Sequence, residues 1–303
     1  MDNSSHQHQI DSRNQSILIN INNQLLPREK AFVSVFDSGF ILGDGVWEGL
    51  RLHNGTVVFL DEHLQRLYQG AKALDLDIGI NKAQMRQRLY DTISANNMHD
   101  GVHIRLMVTR GVKTTPYQDP RATLVGATIV IIAEYKLPST HKQDAGLRLF
   151  TTHVRRGYPD VQDQKINSHS KLNCILACIQ ANKAGADESL MLDPHGFVST
   201  CNSTHFFIVT GGQVWTSTGD YCLGGITRAK IIQLCQQNHI TVLQKNFSLF
   251  DVYAADECFV TGTFAGISAV NEVDGRVIGN KERRPMIKKL QKLYTDLIKQ
   301  QTQ

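Results

Sequence analysis

The run Pro138-Ser139-Thr140-His141-Lys142-Gln143-Asp144 has no aliphatic or aromatic side chain to bury, yet it lies between two strand-like stretches. Such a polar connection is where a chain passes from one core to the next. It divides the 303 residues into an expected disordered tail over 1–15, a small N-terminal α/β domain over 16–136, a linker over 137–145 and a larger C-terminal domain over 146–303. In the first part, strand patterns are expected at 16–21, 31–36, 57–60, 102–110 and 127–134, with helices opening at Asp61 and at the N-cap residue Asn81. In the second part, strands are expected at 147–154, 189–192, 205–209, 214–216 and 257–260. Helices are expected at 172–183, from Gly225 to about 237, and at 284–299. No internal repeat is visible. Short strands mixed with two or three helices in each part indicate an α+β fold rather than a doubly wound parallel sheet.

Composition narrows the function classes. Hydrophobic residues are 41% and charged residues 20%, as in ordinary globular proteins. The net charge is 32 − 28 = +4. Its one basic cluster, Lys281, Arg283, Arg284, Lys288, Lys289 and Lys292, has the spacing of a solvated helix face, so no nucleic-acid partner is expected. The six cysteines include no CxxC pair. Cys174 and Cys178 have no histidine at ligand spacing, so reduced thiols and no metal site are expected. The longest apolar run, 125–133, is too short to span a bilayer, and the first fifteen residues lack an apolar signal segment; cytoplasmic residence is the expectation. No GxGxxG or GxxxxGK[ST] loop is present.

Two turns have the chemistry to hold a phosphate. Gly224-Gly225-Ile226-Thr227 stands directly before a helix, where free backbone N–H groups and the helix dipole converge. The glycines permit close backbone approach, and the Thr227 hydroxyl adds a donor. Thr261-Gly262-Thr263 repeats the pattern at a strand end.

Gly43-Asp44-Gly45-Val46-Trp47-Glu48-Gly49-Leu50-Arg51 resembles the N-terminal signature of the class IV (fold-type IV) aminotransferases, the group of branched-chain and D-amino acid transaminases and aminodeoxychorismate lyase. Glu62-His63-Leu64-Gln65-Arg66-Leu67 is similar to the family segment whose arginine grips the phosphate of pyridoxal 5′-phosphate (PLP). Gly225-Ile226-Thr227-Arg228 is similar to the family's phosphate-cup turn, and Ala255-Asp256-Glu257 followed by Thr261-Gly262-Thr263 to its last motif. The stretch from Ala184 through Asn202 resembles the central segment, and the likeness runs from about residue 16 to 290 in the family's order. The resemblance implies a two-domain D-amino acid aminotransferase-like architecture with a barrel-like C-terminal sheet, PLP in the cleft, and a homodimer. It assigns Arg66, Gly225, Ile226, Thr227 and Thr263 to the cofactor phosphate. Arg105 falls where relatives carry an arginine near the substrate carboxylate.

The chain departs from the family at two positions. A transaminase needs a lysine to hold the cofactor as a Schiff base and move a proton at the substrate Cα, and a carboxylate to keep the pyridine nitrogen protonated. In Gly196-Phe197-Val198-Ser199-Thr200 the position of that carboxylate is occupied by Thr200, and counting back without gaps puts Asn167 at the lysine position. Three readings follow. A local gap makes Lys171, in Lys171-Leu172-Asn173, the cofactor lysine; or Asn167 replaces the lysine outright; or Lys165 serves. The working reading is a PLP-dependent class IV aminotransferase-like enzyme acting on a small amino acid or amine and its 2-oxo partner. Lys171 is the catalytic lysine in this reading, and Thr200 and Asn167 lie beside the cofactor. The alternatives are a cofactor-free enzyme or anionic-ligand-binding protein and, because a hydroxyl near the ring nitrogen weakens the electron sink, a PLP lyase.

Overall fold

The computed structural model describes residues 10–138, 146–280 and 282–302. Of the expected tail, residues 1–9 lie outside these, while Ser12–Gln15 form a 3-10 turn capped by the Asp11 side chain. Asn14 Nδ2 donates to the Tyr135 carbonyl at 2.9 Å, so residues 12–15 dock on the first sheet although the expected tail included them. Most of the expected linker, 139–145, also lies outside the described residues.

The first sheet holds six described strands: β1 (Leu18–Ile21), β2 (Gln24–Pro27), β3 (Gly45–His53), β4 (Thr56–Val57), β5 (Val102–Thr109) and β6 (Thr128–Tyr135). They are ordered β2-β1-β6-β5-β3-β4, and every pairing is antiparallel. A short helix, α1 (Ser38–Leu42), precedes β3; α2 (Leu60–Ala73) and α3 (Lys82–Ala95) follow β4. Alternation along β3 and β5 sends Val46, Leu50, Leu52, Ile104 and Leu106 into one core with Leu64 and Leu67 of α2 and Met85 and Leu89 of α3. The register pairs Gly49 with Arg105 and Arg51 with His103, so the opposite face carries Trp47, Gly49, Arg51, His103 and Arg105. One face of the sheet makes the core; the other is left for chemistry.

The second sheet has nine described strands: β7 (Leu147–Thr151), β8 (Glu188–Leu192), β9 (Val198–Cys201), β10 (His205–Thr210), β11 (Gln213–Thr216), β12 (Val242–Gln244), β13 (Glu257–Gly262), β14 (Gly266–Val273) and β15 (Arg276–Val277). The order is β12-β11-β10-β13-β14-β7-β8-β9, with β15 on β14. In a flat sheet β9 and β10 would stand about 24 Å apart, at ~4.8 Å per strand. The three residues joining them reach only about 14 Å. The sheet must therefore curl back on itself. Helices α4 (Pro159–Gln162), α5 (Leu172–Lys183), α6 (Ile226–Gln237), α7 (Leu249–Tyr253) and α8 (Pro285–Gln301) complete the described chain. Sheet and helices together form an α+β fold.

The strand expected at 31–36 is absent. That stretch is irregular, with Phe32, Val35 and Phe36 exposed, because no neighbouring strand takes its backbone hydrogen bonds. Conversely, β2, β3, β9, β12, β14 and β15 form where periodicity raised no separate strand expectation, and the strand expected at 57–60 is only Thr56–Val57, with α2 starting at Leu60.

Candidate functional site

One segment ties the two sheets together. Trp47 N donates to Asn167 O at 3.0 Å, Asn167 Nδ2 donates to Trp47 O at 2.6 Å, and His169 N donates to Gly45 O at 2.9 Å. Residues 167–169 thus extend the free edge of β3 with backbone ladder contacts. Trp47 Nε1 adds a further bond to Ser168 O at 3.0 Å.

Arg66 makes the second tie. Its Nε and Nη2 donate to the two oxygens of Glu48 at 2.8 and 2.6 Å, while Nη1 donates to Gly224 O at 2.7 Å. Glu48 is fully buried on β3 and also meets His63 Nδ1 at 2.7 Å. Burial by itself would raise the Glu48 pKa, but the hydrogen bonds from His63 and Arg66 outweigh it and the carboxylate is held below its ordinary range. A bidentate guanidinium–carboxylate pair has a fixed plane. Arg66 is therefore aimed from α2 at the turn that starts α6.

That turn has a steric reason for its glycine. A Cβ on Gly225 would lie 2.2 Å from His205 Nε2. Among the described residues no side chain caps α6, so the first-turn N–H groups of Ile226 and Thr227 have no side-chain acceptor, with the positive end of the helix dipole behind them.

A cavity of about 140 Å³ lies between these elements. Seven expected site residues line it together: Arg66, Arg105, Asn167, Gly225, Ile226, Thr227 and Thr263. Trp47, Lys136 and His205 line it as well. Its charged side chains are Arg66, Arg105 and Lys136, and the described lining includes no aspartate or glutamate. The Arg105 guanidinium stacks 3.8 Å from the Trp47 ring centroid, and Lys136 Nζ lies 5.0 Å from that of Phe264. Three buried polar atoms on lining residues have no hydrogen-bond partner: Asn167 Oδ1, His205 Nδ1 and Thr261 Oγ1. Burial, with Arg228, Arg66 and Arg156 nearby, pushes His205 down to about 3, so its imidazole is neutral.

The remaining expectations fall elsewhere. Thr200 does not line the cavity; its hydroxyl donates to Thr204 O at 2.8 Å, closing the turn from β9 into β10. Its one donor is thus used locally. Lys171 also stands outside the lining, at the N-cap of α5, half-buried, with Nζ 5.5 Å from the Trp47 ring centroid. Burial lowers it to about 8, with Arg156, Arg66 and Arg105 contributing in the same direction. Lys165 is exposed and lines a separate groove. Arg110 grips Asp44 at 2.7 and 3.1 Å and is structural; Arg156 is buried against Asn173, Cys174 and the Tyr221 carbonyl. His169 Nε2 donates to Val46 O at 3.2 Å. Among the described residues no group of His, Cys, Asp and Glu could hold a metal, and no helix is long and apolar enough to cross a membrane.

His205 escaped sequence reasoning. It reads as one polar residue in a strand, and only the β10–β13 register, which pairs it with Thr261, brings it to the cavity. Thr261 was legible as part of the Thr261-Gly262-Thr263 turn.

Fold and cavity define an α+β scaffold whose cavity is lined by Arg66, Arg105 and Lys136. The model of the family "Amino-transferase class IV" matches residues 45–273. The chain belongs to this family. It is 40% identical over 284 residues to the branched-chain-amino-acid aminotransferase-like protein 2 of Arabidopsis thaliana, with 94% of this chain and 51% of that protein covered. The chain thus spans about half the length of that relative. It is 33% identical to the branched-chain-amino-acid aminotransferase of Pseudomonas aeruginosa, with 86% of each chain covered. Among solved structures, the Escherichia coli branched-chain amino acid aminotransferase superposes with a TM-score of 0.89 at 26% identity, covering 95% of this chain and 96% of that one. A second branched-chain amino acid aminotransferase, from the source abbreviated T.th. and solved with pyridoxamine 5′-phosphate, gives 0.88 at 26% identity, covering 97% and 96%.

Proposed function

We propose that this protein is a PLP-dependent aminotransferase acting on a small amino acid or amine and its 2-oxo partner. The observation that carries the reading is the convergence of Arg66, the uncapped start of α6 and Thr227 and Thr263 on one cavity. The relatives support it: one solved neighbour holds pyridoxamine 5′-phosphate and others are branched-chain amino acid aminotransferases.

In this reading the N–H groups of Ile226 and Thr227, with the Thr227 and Thr263 hydroxyls, hold the cofactor phosphate. Arg66 neutralises it, and Glu48 prevents that guanidinium from swinging away. Arg105, stacked on Trp47, presents its free N–H donors to the substrate carboxylate. When bound, PLP supplies an aldehyde that captures amino groups and a ring that delocalises charge from the substrate Cα. Lys171 is the amine that attaches the cofactor and carries the proton at that carbon. Its lowered pKa, about 8, supports this role because a larger share of the amine is unprotonated than for an ordinary lysine. Reaching the cavity requires the Lys171 side chain to leave its place over the Trp47 ring, 5.5 Å from the centroid. The two sheets correspond to two domains, and the working assembly is a homodimer.

The test is optical and chemical. Purified protein with added PLP is expected to absorb near ~410–420 nm, the signature of a lysine-bound pyridoxal. Borohydride should abolish the band and leave the added mass on the peptide containing Lys171, and Lys171→Ala should lose both. A colourless protein unaffected by PLP would sink the reading. Mass retained on the peptide containing Lys165 would move the role to that residue.

A further inference from the structure

We infer that Asn167 is the acceptor for a primary amine on the bound ligand, so that the cavity selects the amine form of a pyridoxal-type phosphate over its aldehyde form. This rests on the phosphate-site reading above.

The polarity of Asn167 is fixed by its neighbour. A backbone carbonyl only accepts, so the contact at 2.6 Å to Trp47 O must come from the amide NH₂. The Trp47 N–H bond to Asn167 O pins the backbone of the same residue at 3.0 Å, which leaves the side chain no freedom to flip without losing a bond. Oδ1 is then the free end. It is buried, no described donor reaches it, and Asn167 is only 6% exposed while lining the cavity. A buried acceptor without a donor is unfavourable and calls for a ligand N–H or O–H.

Neither of the other unpartnered atoms imposes this choice. The Thr261 hydroxyl can donate or accept, and a neutral His205 imidazole can place its single proton on either nitrogen. Only Asn167 presents an acceptor of settled direction. An amine offers it a hydrogen; an aldehyde oxygen would set lone pairs against lone pairs. A lysine at this position would itself be a donor able to bond covalently to an aldehyde, so the asparagine reverses the local preference.

Binding of pyridoxamine 5′-phosphate and PLP, measured by calorimetry in the full-length Lys171→Ala chain, tests the inference without relying on turnover. The amine form is expected to bind about tenfold tighter than the aldehyde form, the worth of one well-placed hydrogen bond. Asn167→Leu should erase that difference chiefly by weakening the amine form. Unchanged affinity of Asn167→Leu for inorganic phosphate guards against a general packing defect. Equal affinities before substitution, or a preference unchanged in Asn167→Leu, would overturn the inference alone. Failure of both compounds and of inorganic phosphate to bind would overturn the phosphate site and this inference together.

Discussion

Lys171 and Asn167 show how two residues four apart can differ in what a sequence reveals. Alignment of motifs identifies both as the positions in question, but not which one lines the cavity. The fold answers by geometry: Asn167 lines the cavity because its backbone is laddered to Trp47, whereas Lys171 sits at the start of α5 beside that tryptophan. A lysine held at about 8 when folded and near 10.5 when unfolded disfavours folding while it is charged. Between those values the unfolded chain binds more protons, so stability rises with pH across the window. Lys171→Met should therefore be more stable than the parent near neutral pH by on the order of 1 kcal/mol, with the advantage shrinking as pH rises from about 8 toward 10.5. Urea titrations at a series of pH values would check this. A pH-independent difference would mean that packing, not charge, is responsible.

At the scale of elements, β3 organises the site. It buries Glu48 against α2 on one face and offers Trp47 to the cavity on the other. Replacing Glu48 by Ala leaves the half-buried Arg66 and buried His63 without their anion, and removing one partner of a buried pair costs about 3–5 kcal/mol. Chemical denaturation should show a loss of that order, and phosphate affinity should fall because Arg66 is no longer aimed. Intact affinity would show that Gly224 alone orients the arginine. Periodicity made some elements readable: α5 occupies the expected 172–183, because its residues are apolar at helical spacing and Gly185 follows. It failed where pairing decides. The stretch 31–36 has strand-forming residues but no partner strand, and β14 was missed although β13 and β7 flank it on either side.

At the scale of the molecule, an apolar surface remains unexplained by either core. Phe32, Val35 and Phe40 are 78%, 67% and 72% exposed, and Leu172 and Ile175 on α5 are 66% and 52% exposed. The two stretches adjoin, since Ser170 Oγ donates to Gly43 O at 3.2 Å. Contiguous exposed hydrocarbon of this kind marks a contact surface, which supports the proposed homodimer. Sedimentation should give twice the 33.9 kDa chain mass, and Phe40→Glu combined with Ile175→Glu should shift it toward one. A monomeric parent protein would refute the assembly. By itself the sequence determined the family, the α+β class and the two glycine-bearing turns that line the cavity, because glycines, helix starts and an arginine at family spacing are local features whose chemistry survives without coordinates. The direction of the Asn167 amide, the local bond of Thr200 to Thr204 and the arrival of His205 at the cavity were decided only by tertiary structure. Each depends on which strand lies beside which, and hydrogen bonds between residues distant in sequence set that order.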